Sequence, residues 1–558
     1  MKAIGDFRAA LALLLGLLFL FIVTACDDDD GDGHGVPDAT DNACAIEISH
    51  PAGDYSAPFT ATLSCECDAM LFYRRDFADG TWEGDFLADH NPATIRIERD
   101  QTLTVWAVTA AGRELEPVAQ TYSLPPYFRG IAYAHSGDER ITLQWQPAWD
   151  ADGPVIYRIY QPVEGEPLPT LQPVVQTAAT DVTLSNIHLE LTNGRSACFV
   201  VRAMDARGFE DANAIERCLP PYPVHYVDAG ASPGGDGSRG LPFDSLQAAS
   251  DALVEEGSFT ALHVAGGVYT ENPNFTLNDP PYAESLHAVL AFGGFDPDTW
   301  RRDVPSQPTI LDGQGADVWR LGEGDFIDGF IVTGGGDGFV LQDLRSVTVF
   351  NCALRDNDGA AIAVRASDVI SGPSITATTI IGNNIGVLLS TDADPDSRTG
   401  TNPLLRNVIV AENGDGLIAR ASGGGPFNVE LGARIRNAVF YGNDSGLTID
   451  AGGGFLTLGF EITNSYLGGD LNCTDCGAGV FGLHYCDVAD AGAFTGPGVF
   501  SAAPGFLDPP DDFRLAEDSP LIDAGAPDAL LADPDGSRGD VGAFGGPGAW
   551  WLELNTGF

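Results

Sequence analysis

Three arginines in the C-terminal half, Arg406, Arg434 and Arg436, stand where a basic group could act on an acidic sugar polymer. Elimination from a uronate chain needs a base for a carbon-bound proton and carboxylates that bind calcium beside the substrate. Asp415 or Asp444 could supply such a carboxylate if it lies on the same face as the arginines. A solvated or ion-paired arginine explains the same residues more simply, so the sequence favours a protein without a catalytic site.

A second set, near the end of the chain, has the spacing of a soft-metal site: Cys473, Cys476, His484 and Cys486. A Cys-x-x-Cys pair followed by His and Cys is a ligand set that zinc accepts. In an exported protein, a disulfide among these three thiols is the simpler expectation, with His484 incidental. We therefore favour the disulfide over the metal.

A third set is acidic and lies near the N-terminus. Asp30, Asp32, Asp38 and Asp41 are separated by glycines and offer the hard oxygen ligands that calcium requires. The segment resembles one thrombospondin type 3 calcium repeat, although His34 stands where the third aspartate of that pattern is usual. The alternative is a solvated acidic spacer, so calcium is the one cofactor that the sequence suggests and none is required.

The N-terminus predicts the compartment. Lys2 and Arg8 flank the start of an apolar run that ends at Val23-Thr24-Ala25-Cys26. These residues resemble the lipobox of bacterial lipoprotein signal peptides, which implies that residues 1–25 are removed and that the Cys26 thiol is acylated. The apolar run is about 15 residues, short of the roughly 20 that span a bilayer. The resemblance predicts a lipid-anchored protein of the bacterial cell envelope, with the outer membrane favoured and its face left open.

Composition limits the remaining function classes. A formal net charge of −51 repels nucleic acid, so no nucleic-acid partner is expected. A hydrophobic content of 44% argues against a disordered acidic chain, and 68 glycines with 36 prolines indicate many turns. Its 558 residues allow three or four domains of mainly β structure.

Residues 26–43 form an acidic Gly/Asp tether, and residues 44–124 alternate in short β-type runs. Gly53-Asp54-Tyr55-Ser56-Ala57-Pro58-Phe59 and Leu103-Thr104-Val105-Trp106-Ala107 resemble the small β-sandwich appended to chitobiase and β-hexosaminidase enzymes. The resemblance implies an accessory module without a catalytic centre. Three cysteines allow one bridge whose pairing stays open: Cys44, Cys65 and Cys67.

Residues 125–222 resemble a fibronectin type III sandwich. Ile141-Thr142-Leu143-Gln144-Trp145 and Tyr157-Arg158-Ile159-Tyr160 read as paired strands. In the resemblance, Trp145 is the core tryptophan, and a disulfide between Cys198 and Cys218 links the last two strands. Ala197 occupies the family's usual position of a corner tyrosine.

The C-terminal half repeats one template, in which two asparagines bracket a short strand. Examples are Asn407-Val408-Ile409-Val410-Ala411-Glu412-Asn413 and Asn437-Ala438-Val439-Phe440-Tyr441-Gly442-Asn443. The closing positions 357, 383, 413, 443 and 470 are 26, 30, 30 and 27 residues apart, which fits one solenoid coil per interval. The stacked asparagines predict turn support, with a sugar-binding row as the alternative.

Residues 223–558 carry recognisable short motifs at both ends of the segment. The motifs are Val227-Asp228-Ala229-Gly230 and Val264-Ala265-Gly266-Gly267-Val268-Tyr269 at the start, and Ser519-Pro520-Leu521-Ile522-Asp523-Ala524-Gly525 near the end. They resemble pectin-lyase-like proteins and, at the end, exported proteins of the choice-of-anchor Q type. The resemblance implies a right-handed parallel β-helix capped by a short helix. Family members with known chemistry are polysaccharide lyases and hydrolases, but the hydrolase aspartate motifs are not found in these coils.

Together these features predict an all-β chain in which two N-terminal β-sandwich domains precede a solenoid. The predicted function is a non-catalytic envelope lipoprotein whose β-helix presents a surface for glycan or protein binding. Two alternatives stay open: a polysaccharide lyase or glycoside hydrolase acting in the β-helix groove, and a calcium-stabilised structural component. The expected partners are the membrane, through the lipid, and a polysaccharide or cell-surface protein.

Overall fold

The computed structural model describes residues 44–55, 59–77, 80–88, 91–97, 99–150, 153–163, 165–256, 259–271, 288–392, 399–422, 429–450, 456–474, 480–490, 492, 494, 496–516, 518–534 and 537–554. The chain divides into two compact units. The first contains residues 1–128, 148–156 and 202–212, and the second contains 129–147, 157–201 and 213–558. No helix in the described part of the chain is long and apolar enough to span a membrane.

The first unit holds a small β-sandwich of two sheets, with strand orders β1-β3-β6 and β2-β8-β7-β4-β5. The strands are β1 Ile46–Ile48, β2 Gly53–Asp54, β3 Phe59–Cys65, β4 Ala69–Phe77, β5 Trp82–Leu87, β6 Ala93–Ile97, β7 Gln101–Thr109 and β8 Val118–Ser123. In β7, Leu103, Val105 and Ala107 are fully buried and alternate with half-buried residues, as in a strand with one face on a core. Among the three cysteines, Cys44 bonds to Cys67, and Cys65 is a buried free thiol.

Next comes a fibronectin III-like sandwich with strand orders β13-β10-β9 and β12-β11-β14-β15. Its strands are β9 Ile131–Gly137, β10 Arg140–Trp145, β11 Ile156–Tyr160, β12 Val175–Thr177, β13 Asp181–Ser185, β14 Ala197–Met204 and β15 Arg217–Leu219, with a 3-10 turn at Leu168–Thr170. Trp145 is buried, and its ring lies 5.2 Å from that of Tyr157. Cys198 and Cys218 lie opposite each other on adjacent strands and form the expected disulfide.

The remaining chain is a right-handed parallel β-helix, whose successive coils pair strand on strand. It begins with β16 Val224–Val227, helix α1 Leu246–Glu256, β17 Thr260–Ala265, β18 Gly267–Tyr269, β19 Val289–Phe295, β20 Thr309–Asp312, β21 Trp319–Arg320, β22 Phe326–Asp328, β23 Phe330–Thr333, β24 Phe339–Gln342, β25 Thr348–Phe350 and β26 Ala353–Arg355. It continues with β27 Ala360–Ala366, β28 Ile370–Ser371, β29 Ser374–Ile381, β30 Ile385–Asp392, β31 Gly400–Thr401, β32 Leu404–Ala411, β33 Asp415–Ser422, β34 Val429–Tyr441, β35 Ser445–Asp450, β36 Leu456–Thr463, β37 Tyr466–Leu467, β38 Leu471–Thr474, β39 Phe481–His484 and β40 Asp487–Val488.

Three long parallel sheets run along the solenoid. Sheet 1 has the order β21-β24-β27-β30-β33-β35-β38. Sheet 2 contains β16, β17, β19, β22, β25, the first halves of β29 and β32, the middle of β34, and then β36 and β39. Sheet 3 contains β18, β20, β23, β26, the ends of β29, β32 and β34, and then β37 and β40.

One coil shows how the core forms. Leu405 in sheet 2, Val410 in sheet 3 and Leu417 in sheet 1 all point inward and are fully buried. Each such side chain contributes about 1.5–3 kcal/mol through removal from water, but only because neighbouring coils cover the stack above and below. At the start of the solenoid, Leu246 and Leu253 of α1 pack on the same core, so the helix caps it.

The two asparagines of the repeat template have different tasks. The opening residue bends the chain from sheet 2 to sheet 3 in the left-handed region, with φ between 50° and 51° at Asn351, Ala377, Asn407, Asn437 and Asn464. The closing residues form a ladder in which each side-chain amide donates to the next side-chain oxygen, at 2.8–3.0 Å, along Asn357, Asn383, Asn413 and Asn443. The prediction that stacked asparagines support turns is confirmed.

A C-terminal segment, residues 519–554 and called the strap here, lies along the corner between sheets 2 and 3. It follows a hairpin of β41 Phe506–Asp508 and β42 Asp512–Leu515 and contains two 3-10 helices, Ala529–Leu531 and Ala549–Leu554. Three opening asparagines hold it through hydrogen bonds of 2.7–3.2 Å. Asn464 Oδ1 accepts from the Ala526 N–H, Asn437 Nδ2 donates to the Asp540 carbonyl, and Asn407 Nδ2 donates to the carbonyls of Ala543 and Gly545. The strap therefore covers part of the solenoid surface.

Candidate anion-binding surface

The three arginines singled out in the sequence lie together on the outer face of sheet 2. Arg406 on β32 is the register partner of Arg436 on β34, and Arg434 precedes Arg436 by two residues on the same strand. Adjacent strands are about 4.8 Å apart, and side chains two positions apart share a face. Arg434 and Arg436 are exposed and Arg406 is half-buried. The prediction that the three share one face is confirmed.

None of these three side chains has a carboxylate partner among the described residues, although acidic residues outnumber basic ones 79 to 28. Some other solenoid arginines are ion-paired, as in Arg302 with Asp328 at 2.7 Å and Arg365 with Asp337. Glu461 is the register partner of Arg434 on β36 but forms no ion pair with it. Burial first, and then the charge of Arg436, lower the pKa of Arg406. The result is a cluster of three like charges that forms no ion pair among the described residues.

The arginine row continues with polar residues toward the end of the solenoid. Register places Thr463 of β36 beside Arg436, and His484 of β39 beside Thr463. Thr463 is half-buried and His484 is exposed. Four successive coils therefore present a polar row about 14 Å long, given the usual strand spacing. Neither Thr463 nor His484 was predicted to belong with the arginines, because the coil lengths between them vary.

In the other direction, aromatic residues end the row. The two register positions before Arg406 hold Thr376 and Phe350, and both are buried. The indole of Trp551 in the strap covers this end, with its ring centre 5.2 Å from that of Phe350 and 5.7 Å from the Arg406 guanidinium carbon. The row therefore has an apolar wall at Trp551 and opens toward the last coil.

The predicted carboxylates do not join the arginines. Asp415 begins β33 in sheet 1, where it accepts a hydrogen bond from the Ser445 hydroxyl, and Asp444 lies in the turn that leads into sheet 1. The pairing of Asp415 or Asp444 with the arginine face is therefore wrong. Each coil turns a corner after sheet 3, so residues close in sequence lie on different faces.

The four residues of the soft-metal pattern are also separated by the coil. Cys473 lies in sheet 1 and is disulfide-bonded, whereas His484 is exposed on sheet 2. Cys486 is fully buried in the core, where burial raises the pKa of its thiol to about 11. Cys476 lies outside the described residues. The disulfide expectation for this region is met at Cys473, and the described members of the set form no zinc site.

Only one group in the described part of the chain has metal-ligand spacing, namely Cys198, Glu216 and Cys218. Its two thiols already form a disulfide, so they are not ligands. Cys26 and the acidic set Asp30, Asp32, Asp38 and Asp41 lie outside the described residues. Lipid attachment and calcium binding therefore stay predictions.

Comparisons with known proteins give only remote similarities to solved structures. No protein-family model matches the chain, and no curated protein matches it. A family 28 exopolygalacturonase of Yersinia enterocolitica is 10% identical and has a TM-score of 0.23, over 67% of this chain and all of that one. Fibronectin(III)-like modules of Clostridium thermocellum CbhA are 13% identical, with a TM-score of 0.14, over 31% of this chain and 91% of theirs. A cytokine receptor complex is 14% identical, with a TM-score of 0.19, over 32% of this chain and 96% of that one. At these TM-scores the similarities carry no argument about activity.

Proposed function

We propose that this protein is a non-catalytic binding protein of the bacterial cell envelope, and that it holds an acidic polysaccharide along Arg406, Arg434 and Arg436. The observation that supports the proposal is that these neighbouring arginines form no ion pair with any described carboxylate. A chain with a net charge of −51 repels polyanions everywhere except where cations cluster. The row is such a place, and Arg434 and Arg436 are accessible there.

Guanidinium chemistry and coil spacing favour a carboxylated polymer as the ligand. A guanidinium group binds a carboxylate through two parallel hydrogen bonds, which are stronger than neutral ones. Because coils repeat every 4.8 Å or so, a linear polymer lying along the stack can bring successive acid groups to successive coils. Several weak contacts on one chain then act together, since each later contact is intramolecular.

Binding without turnover is proposed because the row lacks an acid–base pair. Glycoside hydrolysis requires two carboxyl groups flanking the bond, about 5–10 Å apart. Among the described residues that adjoin the arginines in register, Glu461 alone carries a carboxyl group. A guanidinium group is a poor base in general, so an arginine row is not suited to removing a proton.

The proposed location follows from the predicted lipid on Cys26. In this proposal, residues 26–43 form an acidic tether that keeps the protein away from anionic lipid headgroups, with calcium binding at Asp30, Asp32, Asp38 and Asp41 as a further possibility to test. The sandwich of residues 44–124 would then be an accessory module like that of chitobiase enzymes. The strap would correspond to the terminal segment of the choice-of-anchor Q type.

The test is binding of polygalacturonate to the chain produced from Asp27 onward. We expect retention on polygalacturonate but not on neutral glucan, and loss of retention in about 0.5 M salt, where charges are screened beyond about 4 Å. The double variant Arg434→Gln/Arg436→Gln should bind about tenfold more weakly, which corresponds to about 1.4 kcal/mol. Arg420→Gln is the matched control, because Arg420 is an exposed arginine of sheet 1.

Two outcomes would contradict the proposal. Equal weakening by Arg420→Gln would show that general charge, and not the row, holds the polymer. Release of unsaturated uronates or new reducing ends would instead support the alternative, a polysaccharide lyase or hydrolase.

A further inference from the structure

Within the second unit, three parts of the chain meet around the indole of Trp551. Arg217 comes from β15 of the fibronectin III-like sandwich, Phe350 and Arg406 come from sheet 2, and Trp551 comes from the strap. The Arg217 guanidinium carbon lies 4.1 Å from the ring centre of Phe350 and 4.7 Å from that of Trp551. The Arg406 guanidinium carbon lies 5.7 Å from the same indole. Two cations therefore lie within about 6 Å of one indole ring.

The charges at this junction do not balance. Arg302 is fully buried nearby and pairs with Asp328 through bonds of 2.7 and 3.1 Å. Arg217 donates a hydrogen bond to the Ala132 carbonyl at 3.1 Å and forms no ion pair with a carboxylate among the described residues. Burial is the main cause that lowers the pKa of Arg217 to about 10, so it remains charged at neutral pH. An uncompensated charge away from water is costly unless an opposite charge accompanies it.

Hydrogen-bond donors at the junction also lack acceptors. Four shielded N–H groups make no hydrogen bond to any described residue, namely Arg217 Nε, Arg406 Nε, Trp550 Nε1 and Trp551 Nε1. Both tryptophans are 6% exposed and belong to one cluster with Phe350. Unpaired buried donors are rare in proteins, and four in one cluster indicate a missing acceptor. A water molecule accepts about two bonds and carries no charge, whereas an anion accepts several and also balances the arginines.

We infer that this junction binds a small inorganic anion, of which chloride is the probe to use, between the sandwich, sheet 2 and the strap. The bound anion accepts N–H groups of Arg217 and Arg406 and holds the strap end to the solenoid. The site shares Arg406 with the polysaccharide proposal, but Arg434 and Arg436 stand outside the junction, so their variants test the polymer alone. Its ligand stabilises the fold whether or not a polymer binds.

The experiment measures the melting temperature of the chain from Asp27 while chloride replaces gluconate at constant ionic strength and sodium concentration. A ligand that binds only the folded state raises the melting temperature as its concentration rises, and we expect a rise of about 2 °C or more. Arg406→Met keeps most of the length of the side chain without its charge. This variant should abolish the rise in melting temperature that chloride causes. Arg420→Gln on sheet 1 should retain it in full.

A second measurement covers the case in which Arg406→Met fails to fold. Crystals of the wild-type chain grown in bromide should show an anomalous scattering peak within hydrogen-bond distance of Arg217 or Arg406. A melting temperature that responds to chloride identically in the wild type and in Arg406→Met would overturn the inference. So would a bromide crystal without a peak at the junction.

Discussion

Two buried histidines lie where the fibronectin III-like sandwich contacts the solenoid. His135 of β9 and His263 of β17 are both buried, with ring centres 4.7 Å apart and perpendicular planes. His263 shares a 2.9 Å hydrogen bond with the Ser136 carbonyl and stacks on Phe295 at 4.3 Å. Burial is the main cause that lowers the pKa of both, that of His263 to about 3. The sandwich and the solenoid therefore join through neutral imidazoles.

This burial predicts a loss of stability in acid. The unfolded chain takes up a proton at His263 below pH 6.5 or so, whereas the folded chain does so only near pH 3. The stabilisation is therefore complete above about pH 6.5 and falls toward pH 3, by up to about 1.4 kcal/mol per pH unit. His263→Gln keeps a donor for Ser136 but does not titrate. Urea unfolding between about pH 4 and pH 6 measures the effect. The His263→Gln variant should show a dependence of unfolding free energy on pH that is smaller by up to about 1.4 kcal/mol per pH unit.

His484→Gln provides the control, because His484 is exposed and its replacement should leave the slope unchanged. Burial raises the pKa of Asp325 to about 7 and that of Asp487 to about 6, so these groups stabilise the fold as pH falls. Their effect opposes that of the histidines but is common to all the variants. An unchanged slope in His263→Gln would contradict the prediction.

In each coil, the opening residue of the repeat template forms the bend, and the closing residue connects the coil to its neighbours. The opening residue adopts the left-handed conformation that asparagine tolerates, and Ala377 adopts it as well, at φ 51°. The closing residue stays in the interior of the stack, where its side-chain amide joins two coils. The side-chain amides of the opening asparagines face away from the solenoid core. At Asn407, Asn437 and Asn464 they form hydrogen bonds with the backbone of the strap.

Asn383→Ala should destabilise the solenoid by about 2–4 kcal/mol, because it removes several buried hydrogen bonds and leaves partners unsatisfied. Asn383 donates to Asn413 at 3.0 Å and to the Leu354 carbonyl at 3.0 Å, and it accepts from Asn357 at 2.8 Å. The measurement is the unfolding free energy from urea titration followed by circular dichroism.

The neighbouring residue gives a matched control. Asn384 is exposed, and Asn384→Ala should change the free energy of unfolding by less than about 0.5 kcal/mol. Equal effects of the two substitutions would mean that the ladder contributes nothing beyond the backbone stack.

On the scale of the whole molecule, basic side chains are few and almost all are arginine. Lys2 is the sole lysine of the sequence, and the other 27 basic residues are arginines. Arginine keeps its charge when partly buried and forms bidentate bonds, which suits a chain with so many carboxylates. If residues 1–25 are removed, the mature chain contains no lysine side chain.

The lipoprotein prediction can therefore be tested by amine labelling. After expression in a bacterium, the processed protein should not gain mass from an amine-reactive reagent at any side chain, and it should partition into detergent because each buried methylene of its lipid contributes about 0.8 kcal/mol. Cys26→Ser should block processing, retain Lys2 and remain reactive. A wild-type protein labelled at Lys2 would contradict cleavage before Cys26.

Much of the architecture could be predicted from the spacing of residues in the sequence. Asparagines 26–30 residues apart require a stack of coils, because a single coil cannot bury its apolar face. Cys198 and Cys218 were paired correctly from a likeness to a known sandwich. The sequence also allowed the three arginines to share one face, and Arg406 and Arg436 are register partners on adjacent coils. The asparagine template recurs every 26–30 residues, so the coils can be recognised in the sequence.

Only the tertiary structure shows which residues from different coils, or from different parts of the chain, come into contact. Asp415 and Cys486 are near the arginines and Cys473 in sequence, but the corners of the coil send them to another sheet or into the core. The meeting of Arg217, Arg406 and Trp551 joins residues more than a hundred positions apart, and no local pattern marks it. Such contacts depend on how the strap and the sandwich cover the solenoid, which is set by long-range packing.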